Sequence, residues 1–216
     1  MSASCPASPD GRCRAAVRYR SSRLPAVVSA GLLVAGCAAE RGVQLPELSD
    51  WETRRAQLAR LDEWEFRGRV AVKAGEDGFN GKLTWWQNDD LFVASVSGPF
   101  GAGSVRIDGD DDYVRIVDEE GETLEMEDAE RELHLRYGWT IPVASLRYWA
   151  LGIPDPAAPA DTEIDDGGLL RRLEQRGWVL EIDEYREGGG QPMPRRMTAV
   201  HPDTRVRLVI DRWAFR

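Results

Sequence analysis

From Trp64 onward the chain is written in short segments of alternating apolar and polar residues, separated by Gly, Asp and Asn. A period of two sends successive side chains to opposite faces, which is the signature of antiparallel strands joined by turns. Five such segments follow one another, FRGRVAVKA, GKLTWWQN, DLFVASVS, GSVRIDG and DYVRIVD, and EEGETLEM reads as the hairpin return of the last. A meander of that length curls into a barrel or half-barrel. Two stretches break the pattern with helical spacing. Residues 127–138 carry Leu133, Leu135 and Tyr137, and residues 142–152 carry Leu146, Trp149 and Ala150 behind Pro142, a natural first-turn residue. Proline-rich GIPDPAAPAD ends the helical section, and strands resume in LLRRLEQ, WVLEIDEY, RRMTAVH and RVRLVIDRWAF. Strands, helices, then strands predict a sheet that wraps something, with helices lying across its open side.

The N-terminus has a different texture. Five arginines, from Arg12 to Arg23, precede the uncharged run LPAVVSAGLLVAG, which stops at Cys37. Such a run is too short for a stable bilayer span and reads as a secretory signal over residues 1–36. Its end, VAGC, resembles a bacterial lipobox; an ordinary small-residue cleavage site is the plainer alternative. Cys5 and Cys13 lie upstream, so Cys37 would be the sole cysteine of the mature chain, free to carry a lipid. Ala38 and Ala39 follow it, without the Asp that marks inner-membrane retention, which favours the outer membrane. Residues 37–48 have little apolar content and read as a tether. Ser49 and Glu52 fit a capping box for an amphipathic helix through Trp51, Arg55, Leu58 and Leu61, opening a domain over 49–216.

Charge narrows the partners. Without residues 1–36, five arginines and Asp10 drop out, leaving 23 basic against 36 acidic residues, or −13 in place of −9. A balance so acidic disfavours nucleic acid and anionic lipid.

The usual catalytic arrangements are missing. His134 and His201 fall in different elements, with no cysteine beyond Cys37, so neither metal nor Cys-His chemistry has a foundation and no cofactor is expected. Asp108, Asp110, Asp111 and Asp112 form an acidic run whose spacing departs from a calcium loop and suits a solvated turn; a paired-carboxylate hydrolase is the enzymatic alternative. GPFGAG, residues 98–103, lacks the GK[ST] ending of a phosphate loop and leads into a strand where that loop needs a helix. It sets Phe100 between Gly98-Pro99 and Gly101, either folded under the sheet or projecting from a turn.

Several blocks together carry a resemblance: VAGC, Trp64 through GRVAV, LTWWQ, GPFG, IPVASLRYWALGIP, RGWVLEIDEY, QPMPRRM and RVRLVIDRW. In this order, and over essentially the whole mature chain, the sequence resembles the LolB family of outer-membrane lipoprotein receptors. The block IPVASLRYW with its following GIP is the most specific. The resemblance implies a mainly β fold with some α: an incomplete, half-open antiparallel barrel covered by helices, with an apolar cavity between them. It implies a monomer without enzymatic activity that accepts acylated lipoproteins from the periplasmic carrier LolA and places them in the inner leaflet of the outer membrane. Cys37 would be the lipidated residue. Phe100 stands where the family has a protruding leucine associated with delivery, making Gly98, Pro99, Phe100 and Gly101 a membrane-insertion loop. Leu83, Trp85, Val93, Leu146 and Trp149 are the residues expected at the acyl cavity, although alternation alone leaves open which strand face points inward. A structural lipoprotein scaffolding an envelope assembly is the competing function.

Overall fold

Alternation does fix the architecture. The computed structural model describes residues 43–46, 48, 50–98, 103–137 and 141–216. Its first helix, α1, spans Trp51–Leu58. Six strands follow: β1 (Glu63–Ala74), β2 (Asp77–Asn88), β3 (Leu91–Ser97), β4 (Val105–Gly109), β5 (Tyr113–Val117) and β6 (Thr123–Glu127). Helices α2 (Ala129–Tyr137) and α3 (Val143–Leu151) come next. Strands β7 (Asp161–Ile164), β8 (Leu170–Gln175), β9 (Trp178–Gly188), β10 (Gln191–His201) and β11 (Thr204–Phe215) complete the chain. All eleven strands form one antiparallel sheet in the order β6-β5-β4-β3-β2-β1-β11-β10-β9-β8-β7. The β1–β11 pairing is the one long-range junction, joining two meanders that are each local in sequence.

Two of the strands bend the sheet. The β1–β11 register slips between Arg67 and Gly68, and a Cβ at Gly68 would run into the carbonyl oxygen of Val209. Glycine at that bulge therefore permits the close approach of backbones. Strand β10 contains Pro192 and Pro194, which a central strand would not tolerate. Residues 191–194 pair with β9, and pairing with β11 begins only at Arg196, so the prolines occupy a locally free edge. Side chains serve the carbonyls there: Trp213 Nε1 donates to Pro194 O at 3.0 Å, and Arg54 Nη2 donates to Pro192 O.

The sequence-based boundaries change at α1 and in the segment before it. Asp50, not Ser49, caps the helix, its Oδ1 accepting from Thr53 N at 2.9 Å; Ser49 lies outside the described residues. The helix ends at Leu58 rather than Leu61, and its buried polar residue is Arg54. That guanidinium lies 5.7 Å from the centre of the Tyr185 ring, and burial lowers its pKa. Within the segment expected as a tether, residues 37–48, the described residues from Val43 onward pack on the domain. Val43 N donates to Phe215 O at 3.3 Å and Leu45 N to Gly189 O at 2.7 Å, and the side chains of Leu45 and Leu48 are buried in the core. Burying two leucines offsets the entropy of ordering a polar segment.

Candidate functional site: an apolar cavity on one face of the sheet

On β1, the side chains of Trp64, Phe66, Val70 and Val72 share one face, and register carries that face across the sheet to Phe79, Leu83 and Trp85 on β2. From there it continues to Phe92, Ala94 and Val96 on β3, and in the other direction to Val206 and Leu208 on β11. These residues, except Trp64, line a cavity of about 270 Å³. Ile107, Val114 and Ile116 extend it towards one edge of the sheet, and Trp178, Leu180, Met197 and Ala199 towards the other. The remaining wall is α3 and its lead-in, through Ile141, Pro142, Val143, Leu146, Trp149 and Ala150. Every lining residue is aliphatic or aromatic.

Two indole N–H groups in this lining are led away from the cavity by buried glutamines. Trp85 Nε1 donates to Gln87 Oε1 at 2.9 Å, and Gln87 Nε2 donates in turn to Asp89 O at 2.8 Å. Trp149 Nε1 donates to Gln175 Oε1 at 2.9 Å, an oxygen that also accepts from Asp155 N at 3.0 Å. Gln175 Nε2 then donates to the carbonyls of Asp155 and Ala158 at 2.8 and 2.9 Å. Satisfying those donors elsewhere keeps the lining free of polar demands, which suits a hydrocarbon guest.

The same network pins α3 to the segment that follows it. Asp155, 3% exposed, accepts from Ser145 Oγ at 2.7 Å and from Arg176 Nη2 at 3.3 Å. Gly152 closes the helix in the left-handed region at φ 76°, where a Cβ would meet Pro194 Cγ at 2.9 Å and the Tyr185 hydroxyl at 3.1 Å. Tyr185 donates to Leu170 O at 2.7 Å, and burial raises the pKa of its phenol. The remaining polar ties of α3 are rim contacts. Arg147 Nη1 donates to Asp89 O at 2.8 Å, and its Nη2 lies 3.7 Å from Asp111, whose carboxyl is pushed up by burial and partly drawn back by Arg147.

Leu83, Trp85, Leu146 and Trp149 lie at this cavity, whereas Val93 does not. Phe92 and Ala94, 6% and 3% exposed, take the inner positions of β3, so Val93 points to the opposite face. Among the described residues, α3 and its lead-in contribute to the cavity lining and α2 does not, and Leu135 is 71% exposed. Gly98 follows β3 and is half-buried; Pro99, Phe100, Gly101 and Cys37 lie outside the described residues. The acidic run after β4 is a turn: Asp110 Oδ1 accepts from Asp112 N at 2.9 Å and Tyr113 N at 2.8 Å, and Asp108 bridges Arg106 and Arg115. Sequence reasoning missed the roles of Gln87 and Gln175. Their signal was a polar residue at an inward position of an otherwise apolar strand face.

Comparison with known proteins agrees with this construction. Residues 62–213 match the family described as outer membrane lipoprotein LolB. Three relatives carry the name outer-membrane lipoprotein LolB. That of Nitrosococcus oceani is 38% identical over 132 residues, 61% of this chain and 66% of the relative. The Chromohalobacter salexigens protein is 32% identical over 84% of this chain and 85% of its own. For Stutzerimonas stutzeri the identity is 34%, over 84% of this chain and 90% of the relative. A LolA superfamily protein from Nitrosomonas europaea shares the fold at a TM-score of 0.52 and 7% identity, covering 77% of this chain and 94% of that one. The chain belongs to the LolB family of outer-membrane lipoproteins.

Proposed function

We propose that this protein receives acylated lipoproteins from a LolA-type periplasmic carrier and releases them into the inner leaflet of the outer membrane, without nucleotide hydrolysis. The single observation that carries the proposal is the cavity, lined throughout by aliphatic and aromatic side chains. In functional terms the sheet acts as a half-open barrel, α3 as its cover, and the space between them as the seat of acyl chains.

Physical chemistry explains why such a seat is required. At about 0.8 kcal/mol per buried CH₂, three chains of about 16 carbons carry on the order of 40 kcal/mol, which forbids release into water. Cargo must pass from one apolar enclosure to the next, each binding better than the last. Cys37 would hold the protein at the bilayer. A Phe100 projecting from GPFG would favour insertion of the cavity mouth into acyl chains by roughly 2 to 3 kcal/mol.

The test mixes the protein with carrier loaded with a labelled lipoprotein, then adds liposomes. Label is expected to move to the protein and on to the liposomes, and Phe100→Glu to accept it but deliver it poorly. Label that never leaves the carrier for a folded protein would sink the receptor function and favour an envelope scaffold.

A further inference from the structure

The face of the sheet opposite the cavity is basic in a chain whose formal net charge is −9. Where Phe66, Val70 and Val72 turn inward, the intervening Arg67, Arg69 and Lys73 of β1 turn outward, beside Lys82 of β2. Across the β1–β11 junction the same face continues through Arg205, Arg207 and Arg212, and on to Arg196 of β10. All eight are exposed. The carboxylates on this face of β1 and β11 are Glu63, Glu65 and Asp211, and the first two also engage Arg216 at 3.1 and 3.6 Å. Ion pairs occupy Arg67 with Glu65, Arg69 with Asp211 and Arg196 with Glu184, at 2.8, 3.0 and 3.3 Å. Lys73, Lys82, Arg205, Arg207 and Arg212 have no ion pair among the described residues.

Register makes the clustering costly. Arg67 stands directly opposite Arg212, Lys73 opposite Arg205, and Arg69 opposite Lys82. Like charges facing across an antiparallel pair destabilise it, so a solvated surface gains nothing from this arrangement.

We infer that this outer face of β2-β1-β11-β10 binds the anionic headgroups of the leaflet that carries the lipid anchor. The inference depends on the proposed lipidation of Cys37, because anchor geometry selects a membrane over other anionic partners. Val43 is hydrogen-bonded to Phe215 at the end of β11, the strand that supplies three of the cations. From Cys37 to Val43 is six peptide steps, about 20 Å at full extension. The tether therefore holds the end of the face at Arg67 and Arg212 beside the bilayer; the remaining cations run along β1 and β11 away from Phe215 and reach headgroup phosphates, within a Debye length, when the face lies along the membrane. Net charge is a poor guide here because the acidic residues concentrate elsewhere, in the β4–β5 turn, the β5–β6 return, the first turn of α2 and the segment around β7.

Lys73 and Lys82 are the only lysines in the chain, so an amine-reactive reagent reads this face almost alone. The full lipoprotein is reconstituted into vesicles of phosphatidylcholine, with or without phosphatidylglycerol, and treated with a membrane-impermeant acylating reagent. Flotation reports anchoring and label transfer reports cargo handling, so either can fail independently of this face. The expected result is a severalfold slower modification of both lysines in anionic vesicles, reversed at high salt. Arg205→Glu combined with Arg207→Glu abolishes that protection while leaving flotation intact; each cation lost from the headgroup layer weakens surface binding roughly fivefold. Equal modification in neutral and anionic vesicles overturns the inference, as does equal protection of the variant. Protection that appears only on adding an acidic carrier protein also overturns it and assigns the face to that protein.

Discussion

The inner face of the sheet has two halves built by the same strands to opposite effect. Near the start of β1 and the end of β11, large rings fill the space. Phe66 stacks with Trp85 at 6.3 Å, Trp85 with Phe92 at 4.9 Å and Trp213 with Phe215 at 5.7 Å, while Phe66 meets Trp213 edge-on at 5.3 Å. Further along the same strands the inward positions hold Val70, Val72, Val96, Val206 and Leu208, and the cavity opens. Pleat, register and polarity are common to both halves. Side-chain volume alone separates a packed floor from an empty seat, so the cavity is a property of residue size imposed on the fold rather than of the fold itself.

The comparison can be broken most severely at the floor. Trp64, 1% exposed and stacked on Phe66 at 6.1 Å, has no way to collapse its site when truncated. Trp64→Ala is expected to lose about 3–5 kcal/mol in urea unfolding, and a loss under about 1 kcal/mol would mean the rings are not a packed floor. Next comes the helical wall. Gln175→Ala strands a buried indole N–H, the Asp155 N–H and two carbonyls, and about 1–3 kcal/mol of stability should go with them. Binding of a fluorescent hydrophobic probe should weaken as well, because Trp149 is no longer held at the cavity wall. Unchanged probe affinity in a destabilised variant would limit the network to a structural role.

Filling the open half should be nearly free. Val206→Phe adds volume where there is space, so it is expected to change stability by less than about 1 kcal/mol, against the 1–3 kcal/mol typical of overpacking a full core. Stoichiometric probe binding should nevertheless fall at least tenfold. The smallest effect lies at the polar rim beside Arg147. Burial holds the Asp111 carboxyl above its ordinary pKa, so the native state binds that proton more tightly than the unfolded chain does. Stability from the protonated form is therefore lost as pH rises through the raised pKa. Asp111→Asn should be no less stable than the parent at neutral pH and should flatten that part of the pH profile. A less stable variant would mean the ion pair with Arg147 outweighs burial.

Most of the strands were legible because one of their faces is buried, and burial imprints a period of two on the sequence. Strand β7 was not, since DTEI is polar and owes its conformation to pairing with β8 alone. The first half of β10 was hidden by its two prolines, which are tolerated only because β11 does not pair there. Four of the five expected cavity residues share the inner lining, and the fifth, Val93, shows where local pattern stops: alternation groups Phe92 with Ala94 but does not say which group turns inward. Leu45 and Leu48 looked like a tether because a backbone held by Gly189 and Phe215 leaves no trace in composition. The basic face was visible as Arg-x-Arg in β1 and again in β11, and summing the charge erased it.

The aromatic residues also give the cavity an optical consequence. Trp85, Trp149 and Trp178 line it, while Trp64 and Trp213 sit together in the floor behind Phe66, so the chain carries emitters both at the binding space and just outside it. A guest that replaces empty space or water beside the first group changes their surroundings and leaves the second group as an internal reference. Occupancy of the cavity is thereby encoded in the protein's own ultraviolet emission, and a receptor of this kind can be watched filling and emptying without a dye.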